Sequence, residues 1–138
     1  MKSMFASITL LIFVNVSAQE DDTSSVRVGP DKAVTEFSTE KGFMLSKKAF
    51  EVLEIKTQKL SGTSTYETDK IAIVYYQDKI GIYRLRNERF KLVPITIIKK
   101  IGEQVTISSE DLSEGDQIAI QGAGLLRVTE MDITAGQE

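Results

Sequence analysis

The sequence predicts a mainly β fold, a small β-barrel or sandwich with one short helix. From residue 66 onward, short segments rich in alternating or clustered apolar residues recur at spacings of roughly ten residues, separated by Gly, Asn and Asp. One earlier segment instead has its apolar residues at helical spacing. The length of 138 residues favours a single domain.

The short helix is predicted over residues 47–53. Ser46 is a good N-cap because its hydroxyl can accept a hydrogen bond from the first free backbone N–H groups. The apolar side chains of the helix fall on one face, at Ala49, Phe50 and Leu53. About two turns are too short to be stable alone, so we expect the helix to depend on packing.

The predicted strands are separated by turn residues. They cover residues 43–45, 54–60, 71–76, 80–86, 89–99, 104–108 and 117–121. Asn87 and Glu88 form a two-residue hairpin candidate, although the favoured Gly is absent. Pro94 lacks a backbone N–H, so the segment 89–99 is expected at a sheet edge or with a bulge at that position.

The best-marked β segment is 111–126. Residues 113–116, Ser-Glu-Gly-Asp, have the composition of a tight reversal. Residues 117–121 then alternate between polar and apolar, which is typical of a half-buried strand. Gly-Ala-Gly at 122–124 ends the strand, and residues 127–138 are expected to fade into a polar tail.

Composition argues against several classes of function. The net charge is -3 at pH 7, so the chain has no basic field to hold nucleic acid. There is no Cys and no His, which removes thiol and imidazole chemistry and the usual zinc and copper ligands. A catalytic serine would need Lys or a carboxylate as its base, and no pattern places such a pair. We therefore predict a protein that is not an enzyme and uses no metal or other cofactor.

The N-terminus predicts export. Lys2 precedes an apolar run over residues 4–16, and Val-Ser-Ala at 16–18 supplies the small residues of a cleavage site. The apolar run is too short to span a bilayer comfortably, so we expect no stable membrane span after cleavage. The predicted organisation is a signal peptide at 1–18, a flexible polar leader at 19–41, a β-domain at 42–131 and a tail at 132–138.

Two clusters have a functional and a structural interpretation. One is aromatic and consists of Tyr75, Tyr76, Tyr83 and Phe90. It is either a ligand or partner surface or, as the pattern favours, cross-strand core packing. The other is acidic and consists of Glu110, Asp111, Glu114 and Asp116. Its spacing lacks the order of a calcium loop, which favours a solvated turn.

Three arginines lie beside the predicted hairpin turn. They have the charge to bind an anion or an acidic partner, and a solvated hairpin tip explains them as well. Together with the tight reversal that follows residue 113, they supply the candidate partner contacts. These are Arg84, Arg86, Arg89, Gly115 and Asp116.

Five segments occur in an order that has a parallel in a known family. They are 69–75 (DKIAIVY), 82–85 (IYRL), 93–97 (VPITI), 112–118 (LSEGDQI) and 122–126 (GAGLL). In this order they resemble the C-terminal part of the periplasmic adaptors, or membrane fusion proteins, of tripartite RND-type efflux systems, the heavy-metal branch most of all. The earlier segment 41–57 is similar to the L-S-x-x-A-x-x-x-L-G-I-x-T segment of the same family. Asp69 and Glu54 depart from the family pattern, which often has Pro and Gly there.

The resemblance implies a free-standing membrane-proximal domain. In the adaptors the two similar segments are far apart in sequence, whereas here a short loop joins them, without room for a lipoyl domain or a helical hairpin. The implied role is an accessory or docking module of a periplasmic transport complex, with an inner-membrane RND-type transporter or a full-length adaptor as partner. The family's metal-binding methionines have no match. The alternative is a stand-alone periplasmic carrier of a small ligand or ion that uses the aromatic cluster.

Overall fold

The structure, a computed structural model, describes residues 27–135. The predicted signal peptide, the first part of the predicted leader and the last three residues of the predicted tail lie outside these residues. The elements are β1 (Val34–Ser38), β2 (Gly42–Leu45), α1 (Lys47–Val52), β3 (Lys56–Lys59), β4 (Tyr66–Asp69), β5 (Val74–Tyr76), β6 (Lys79–Arg86), β7 (Arg89–Pro94), β8 (Thr96–Ile101), β9 (Gln104–Ser108), β10 (Gln117–Gln121) and α2 (Ala123–Ala135).

The strands form two antiparallel sheets. The large sheet has the order β1-β2-β7-β6-β10-β3, and β5 pairs with the start of β6. The small sheet has the order β4-β9-β8. Both sheets are open, so the arrangement is sandwich-like and not a closed barrel. The predicted mainly β class is confirmed.

The large sheet separates two apolar cores because its strands alternate. Ile82 and Ile118 point to a core shared with the small sheet, where Val105 and Ile107 meet them. The next residue along β6, Tyr83, belongs to the second core on the opposite face. That second core is closed by the buried residues of α2, which are Ala123, Leu126 and Ile133.

The first helix forms as the sequence predicts. The Ser46 hydroxyl accepts from the Ala49 backbone N–H at 3.0 Å, and the helix ends at Val52 with Leu53 as its C-cap. Phe50 stacks on Phe90 of the large sheet with ring centroids 6.1 Å apart. Packing of this kind stabilises a helix that is too short to persist alone.

The second helix corrects the prediction of a polar tail. Residues 123–135 form α2, although Gly124 and several β-branched residues have low helix propensity. Its apolar pattern gave no clear helical face because Leu125, Val128 and Met131 point outward into solvent. Tertiary packing against the second core therefore decides the conformation. Within residues 27–135, neither helix has the length and apolar run needed to cross a bilayer.

The predicted leader and two of the predicted strands also differ from the structure. Val34 is buried and begins β1, so residues 34–38 belong to the domain. The long segment 89–99 is divided at Ile95, where the chain leaves the large sheet and enters the small one. Residues 70–72 form a 3-10 turn before β5 because the Asp69 carboxylate caps the backbone N–H of Ile71 at 3.1 Å.

Candidate functional site

The β6–β7 hairpin carries most of the predicted contact residues. Asn87 and Glu88 form its two-residue turn, with φ angles of 51° and 63°. Positive φ at both positions is the type I′ turn, whose twist matches that of the flanking strands. The turn fixes the register, so that Arg86 lies opposite Arg89 and Arg84 lies opposite Lys91. The predicted hairpin is therefore confirmed, including its two-residue loop.

This register places four cations on one face of the hairpin. Residues two apart on a strand share a face, and directly paired residues do as well. We call this surface the basic hairpin face; it consists of Arg84, Arg86, Arg89 and Lys91. Lys91 was missed from the sequence, although pairing outward from the two-residue turn would have placed it beside Arg84.

Arg86 and Asp116, two of the predicted contacts, bind each other. Arg86 Nε donates to one carboxylate oxygen at 2.8 Å and Nη2 donates to the other at 2.5 Å. The Asp116 side chain is 9% exposed, and that of Arg86 is 40% exposed. Hydrogen bonds from Arg86 hold the pKa of Asp116 below its usual range, and a further bond from the Ser113 backbone N–H acts in the same direction. We call this pair the hairpin clamp.

The turn that holds Asp116 is joined to the end of β3. The Asp116 backbone N–H donates to the Ser113 carbonyl at 3.1 Å, which closes the tight reversal predicted there. The Leu60 backbone N–H donates to the Asp116 carbonyl at 2.8 Å, and the Gly115 N–H donates to the Leu60 carbonyl at 3.1 Å. Gly115 has a φ of 87°, a conformation that favours glycine. Gly115 thus shapes the turn, and the hairpin clamp ties the hairpin to it.

Arg84 is half-buried, whereas Arg86 is exposed. Its Nη1 donates to the Asp111 backbone carbonyl at 2.8 Å. Burial of the guanidinium lowers the pKa of Arg84, and the positive charge of Arg86 adds to the effect. Arg84 therefore bridges β6 to the segment before the tight reversal.

Arg89 bridges the hairpin to β1. Its guanidinium binds the carboxylate of Glu36, whose side chain is 56% exposed. Glu36 lies opposite Met44 in the β1–β2 pair. The three arginines are therefore bound on both sides of the hairpin, Arg84 and Arg86 by the 111–116 segment and Arg89 by β1.

The two other sequence clusters are not assembled into sites. Tyr83 and Phe90 are buried in the second core, whereas Tyr75 is 69% exposed. The four aromatic residues therefore do not share one surface, and core packing accounts for the two buried ones. Among residues 27–135, no group of three or more acidic side chains lies close enough together to hold a metal ion.

The arrangement is suited to electrostatic binding. A surplus of fixed cations attracts acidic groups, and the clamp keeps the cations in place without a partner. Comparison of the chain with protein-family models, with curated proteins and with solved structures gave no significant match.

Proposed function

We propose that this chain is a non-enzymatic periplasmic docking module, similar to the membrane-proximal domain of an efflux adaptor. The proposed partner is an inner-membrane RND-type transporter or a full-length adaptor, and the contact surface is the basic hairpin face. Residues 1–18 are proposed to direct export and to be removed. A heavy-metal efflux complex is the setting that the sequence resemblance favours.

The observation that carries the proposal is the way the adaptor-like segments meet. Residues 41–57 supply β2, α1 and the start of β3, and the later segments supply β6, β7 and β10. Within one sheet β2 pairs with β7 at Phe43–Phe90, and β3 pairs with β10 from Lys59–Gln117 to Lys56–Gln121. The strands that contain these segments are therefore neighbours, although in each pair one residue lies outside the segments. Segments that the adaptors keep far apart in sequence therefore form one sheet here, as the proposed kinship requires.

The charge distribution supports docking to an acidic partner. The whole chain has a net charge of -3, yet four cations lie on one face of the hairpin. Asp116 and Glu36 pair with two of these cations, and the charge of Asp111 acts on Arg84 and Arg86. Lys91 forms no ion pair within residues 27–135 and carries the unbalanced positive charge. A local positive surface on an acidic protein favours one orientation of approach, because like charges elsewhere repel an acidic partner. The arrangement also predicts that association weakens as salt concentration rises.

A crosslinking pull-down tests the proposal. The tagged full chain is expressed in its own host, crosslinked in the intact envelope and purified, and the captured proteins are identified by mass spectrometry. Recovery of a transporter or adaptor subunit is expected. Recovery of neither, from cells in which an efflux complex is assembled, would contradict the proposed function.

A charge reversal locates the contact. Arg89→Glu is preferred to a change at Arg86, since the hairpin clamp makes Arg86 important for folding. Because Arg89→Glu also breaks the exposed pair with Glu36, each variant is first checked for an unchanged urea midpoint. Lys99→Glu on the exposed β8 strand is the control, because it makes the same change in net charge on the small sheet. We expect Arg89→Glu to weaken capture by about tenfold and Lys99→Glu to leave it unchanged. Equal capture by both variants would remove the basic hairpin face as the contact.

A further inference from the structure

A groove between the two helices lies outside the basic hairpin face. Its walls are α1, the turn at residues 30–33 and Thr129 of α2, and its volume is about 470 Å³. Small-molecule sites in proteins have volumes of about 300–1,000 Å³. The groove is thus large enough for part of a small ligand.

Hydrogen bonds join the segments that form the groove. The Ser46 backbone N–H donates to the Ala33 carbonyl at 2.8 Å, which joins the start of α1 to the turn. Arg27 Nη1 donates to the backbone carbonyl of Asp132 at 2.5 Å and to its carboxylate at 2.7 Å, which joins the chain before the turn to α2. A ligand would therefore enter a site that is already formed, which lowers the entropic cost of binding.

The walls are apolar and one of them is unusually exposed. Ala49 and Leu53 line the groove beside Val52, which is 69% exposed. The Thr129 hydroxyl is occupied, since it donates to the Leu125 carbonyl at 2.8 Å. Covering these aliphatic groups with an acyl chain removes them from water and is favourable.

The charges at the rim select the head group. Lys32 and Lys48 are exposed and line the groove, and neither forms an ion pair with any residue between 27 and 135. Asp31 is the one carboxylate among the lining residues. On α2, Glu130 and Asp132 are each bound to an arginine. Among the described residues, the lining therefore has two lysines against one carboxylate, a surplus of one positive charge for an anionic head.

A second apolar groove on the other side of α1 provides an internal comparison. It has a volume of about 600 Å³ and is lined by Phe50, Leu85 and Phe90 among others. Its charged lining residues are Glu51, Glu88 and Lys47, so it has a surplus of negative charge. An anionic amphiphile that seeks an apolar wall would enter the first groove and avoid the second.

We propose that the groove between α1 and α2 binds a single-chain anionic amphiphile, such as a fatty acid. The acyl chain lies against Val52 and Leu53, and the carboxylate binds Lys32 and Lys48. The site is separate from the basic hairpin face, so it is independent of the proposed docking function.

Calorimetric titration with sodium dodecanoate below its critical micelle concentration tests the proposal. The purified protein, expressed from the full chain, is titrated in parallel with dodecyltrimethylammonium, which has the same chain and the opposite charge. We expect saturable binding of dodecanoate with a Kd at least about tenfold below that of the cation. Equal affinity for both, or no saturable binding of dodecanoate, would overturn the proposal.

Matched variants locate the site. Lys32→Glu with Lys48→Glu is expected to weaken dodecanoate binding at least tenfold, whereas Lys99→Glu with Lys100→Glu on β8 makes the same charge change and leaves the Kd unaltered. Val52→Glu provides a second test and should weaken dodecanoate binding, because it places a carboxylate where the acyl chain lies. Each variant is first checked for an unchanged urea midpoint. Equal effects of the two lysine pairs would overturn the proposal. Binding to vesicles containing phosphatidylglycerol without binding of monomeric dodecanoate would also overturn it, in favour of a lipid surface.

Discussion

The hairpin clamp makes a quantitative prediction about stability. Asp116→Ala removes three hydrogen bonds, two from Arg86 and one from the Ser113 backbone N–H, and leaves that N–H without its partner. Bonds to a charged group contribute about 1.5–3 kcal/mol each, but the 40% exposure of the Arg86 side chain reduces their value here. We expect a loss of about 2–3 kcal/mol in the free energy of unfolding.

The assay is urea denaturation followed by tyrosine fluorescence and far-UV circular dichroism, because the chain has four Tyr and no Trp. A double-mutant cycle with Arg86→Ala should give a coupling energy of about 1–2 kcal/mol. Lys70→Ala breaks the exposed pair with Glu103 and should leave the urea midpoint unchanged. If Asp116→Ala behaves like Lys70→Ala, or if the cycle shows no coupling, the clamp is not a stabilising link.

The clamp also predicts a dependence on pH. The folded state lowers the pKa of Asp116 relative to the unfolded value of 3.8, so the carboxylate stabilises the fold above that value. The contribution is lost as pH falls through the lower folded pKa. The stability difference between the wild type and Asp116→Asn should therefore be greatest near pH 7 and shrink below about pH 4. A difference that persists unchanged to pH 2 would show that the charge is not its source.

Three further predictions follow from the backbone and from α2. Glu88→Gly should raise the free energy of unfolding by about 0.5–1 kcal/mol, because glycine tolerates the positive φ of the hairpin turn. The control is Asp78→Gly, where φ is not positive, and it should give no gain in urea denaturation. Gly122→Ala should lower the free energy of unfolding by about 2 kcal/mol, because φ is 83° and a Cβ would lie 2.4 Å from Ile55 Cδ1. Adding Ile55→Val removes that Cδ1 and should restore part of the loss in the urea midpoint. Burial raises the pKa of Glu130 above 4.5, so the wild type should gain stability as pH falls towards 4.5, and Glu130→Gln should lack that gain in melts at pH 7 and 5.

The sequence predicted correctly those elements that a few neighbouring residues determine. Ser46 marked the start of α1, and the strand at 117–121 and the Asn87-Glu88 turn were found where predicted. Each of these depends on a cap, a period or a turn that neighbouring residues determine. The mainly β class follows from the number of such segments.

The elements that were missed depend on packing at a distance. β1 has a short apolar pattern within a polar segment, and its strand conformation depends on pairing with β2 and on packing of Val34 and Phe37 in the second core. For α2, the exposed Leu125 and Val128 obscured the buried face formed by Leu126 and Ile133. Sequence periodicity does not distinguish an apolar residue that packs from one that faces solvent.

The candidate site shows the same division. The sequence placed Arg86 and Asp116 in the candidate set, and each was identified by a local cluster. Nothing local shows that they bind each other, because the hairpin and the tight reversal are separate in the chain and are brought together by the pairing of β6 with β10. The role of Arg89 depends in the same way on Glu36 of β1, a strand that was not predicted.

The strand order of the large sheet has a consequence for how the chain acquires its structure during synthesis. Within the described residues, β3 pairs only with β10, and β2 pairs on one side with β7, which comes much later in the chain. A nascent chain that has not yet released Gln117–Gln121 leaves β3 without its neighbour and part of β6 open as well. Unpaired strand edges associate readily with other chains. The pairing of β10 is therefore the step that completes the large sheet, and a chain truncated before residue 117 would expose the edges of β3 and β6 to other chains.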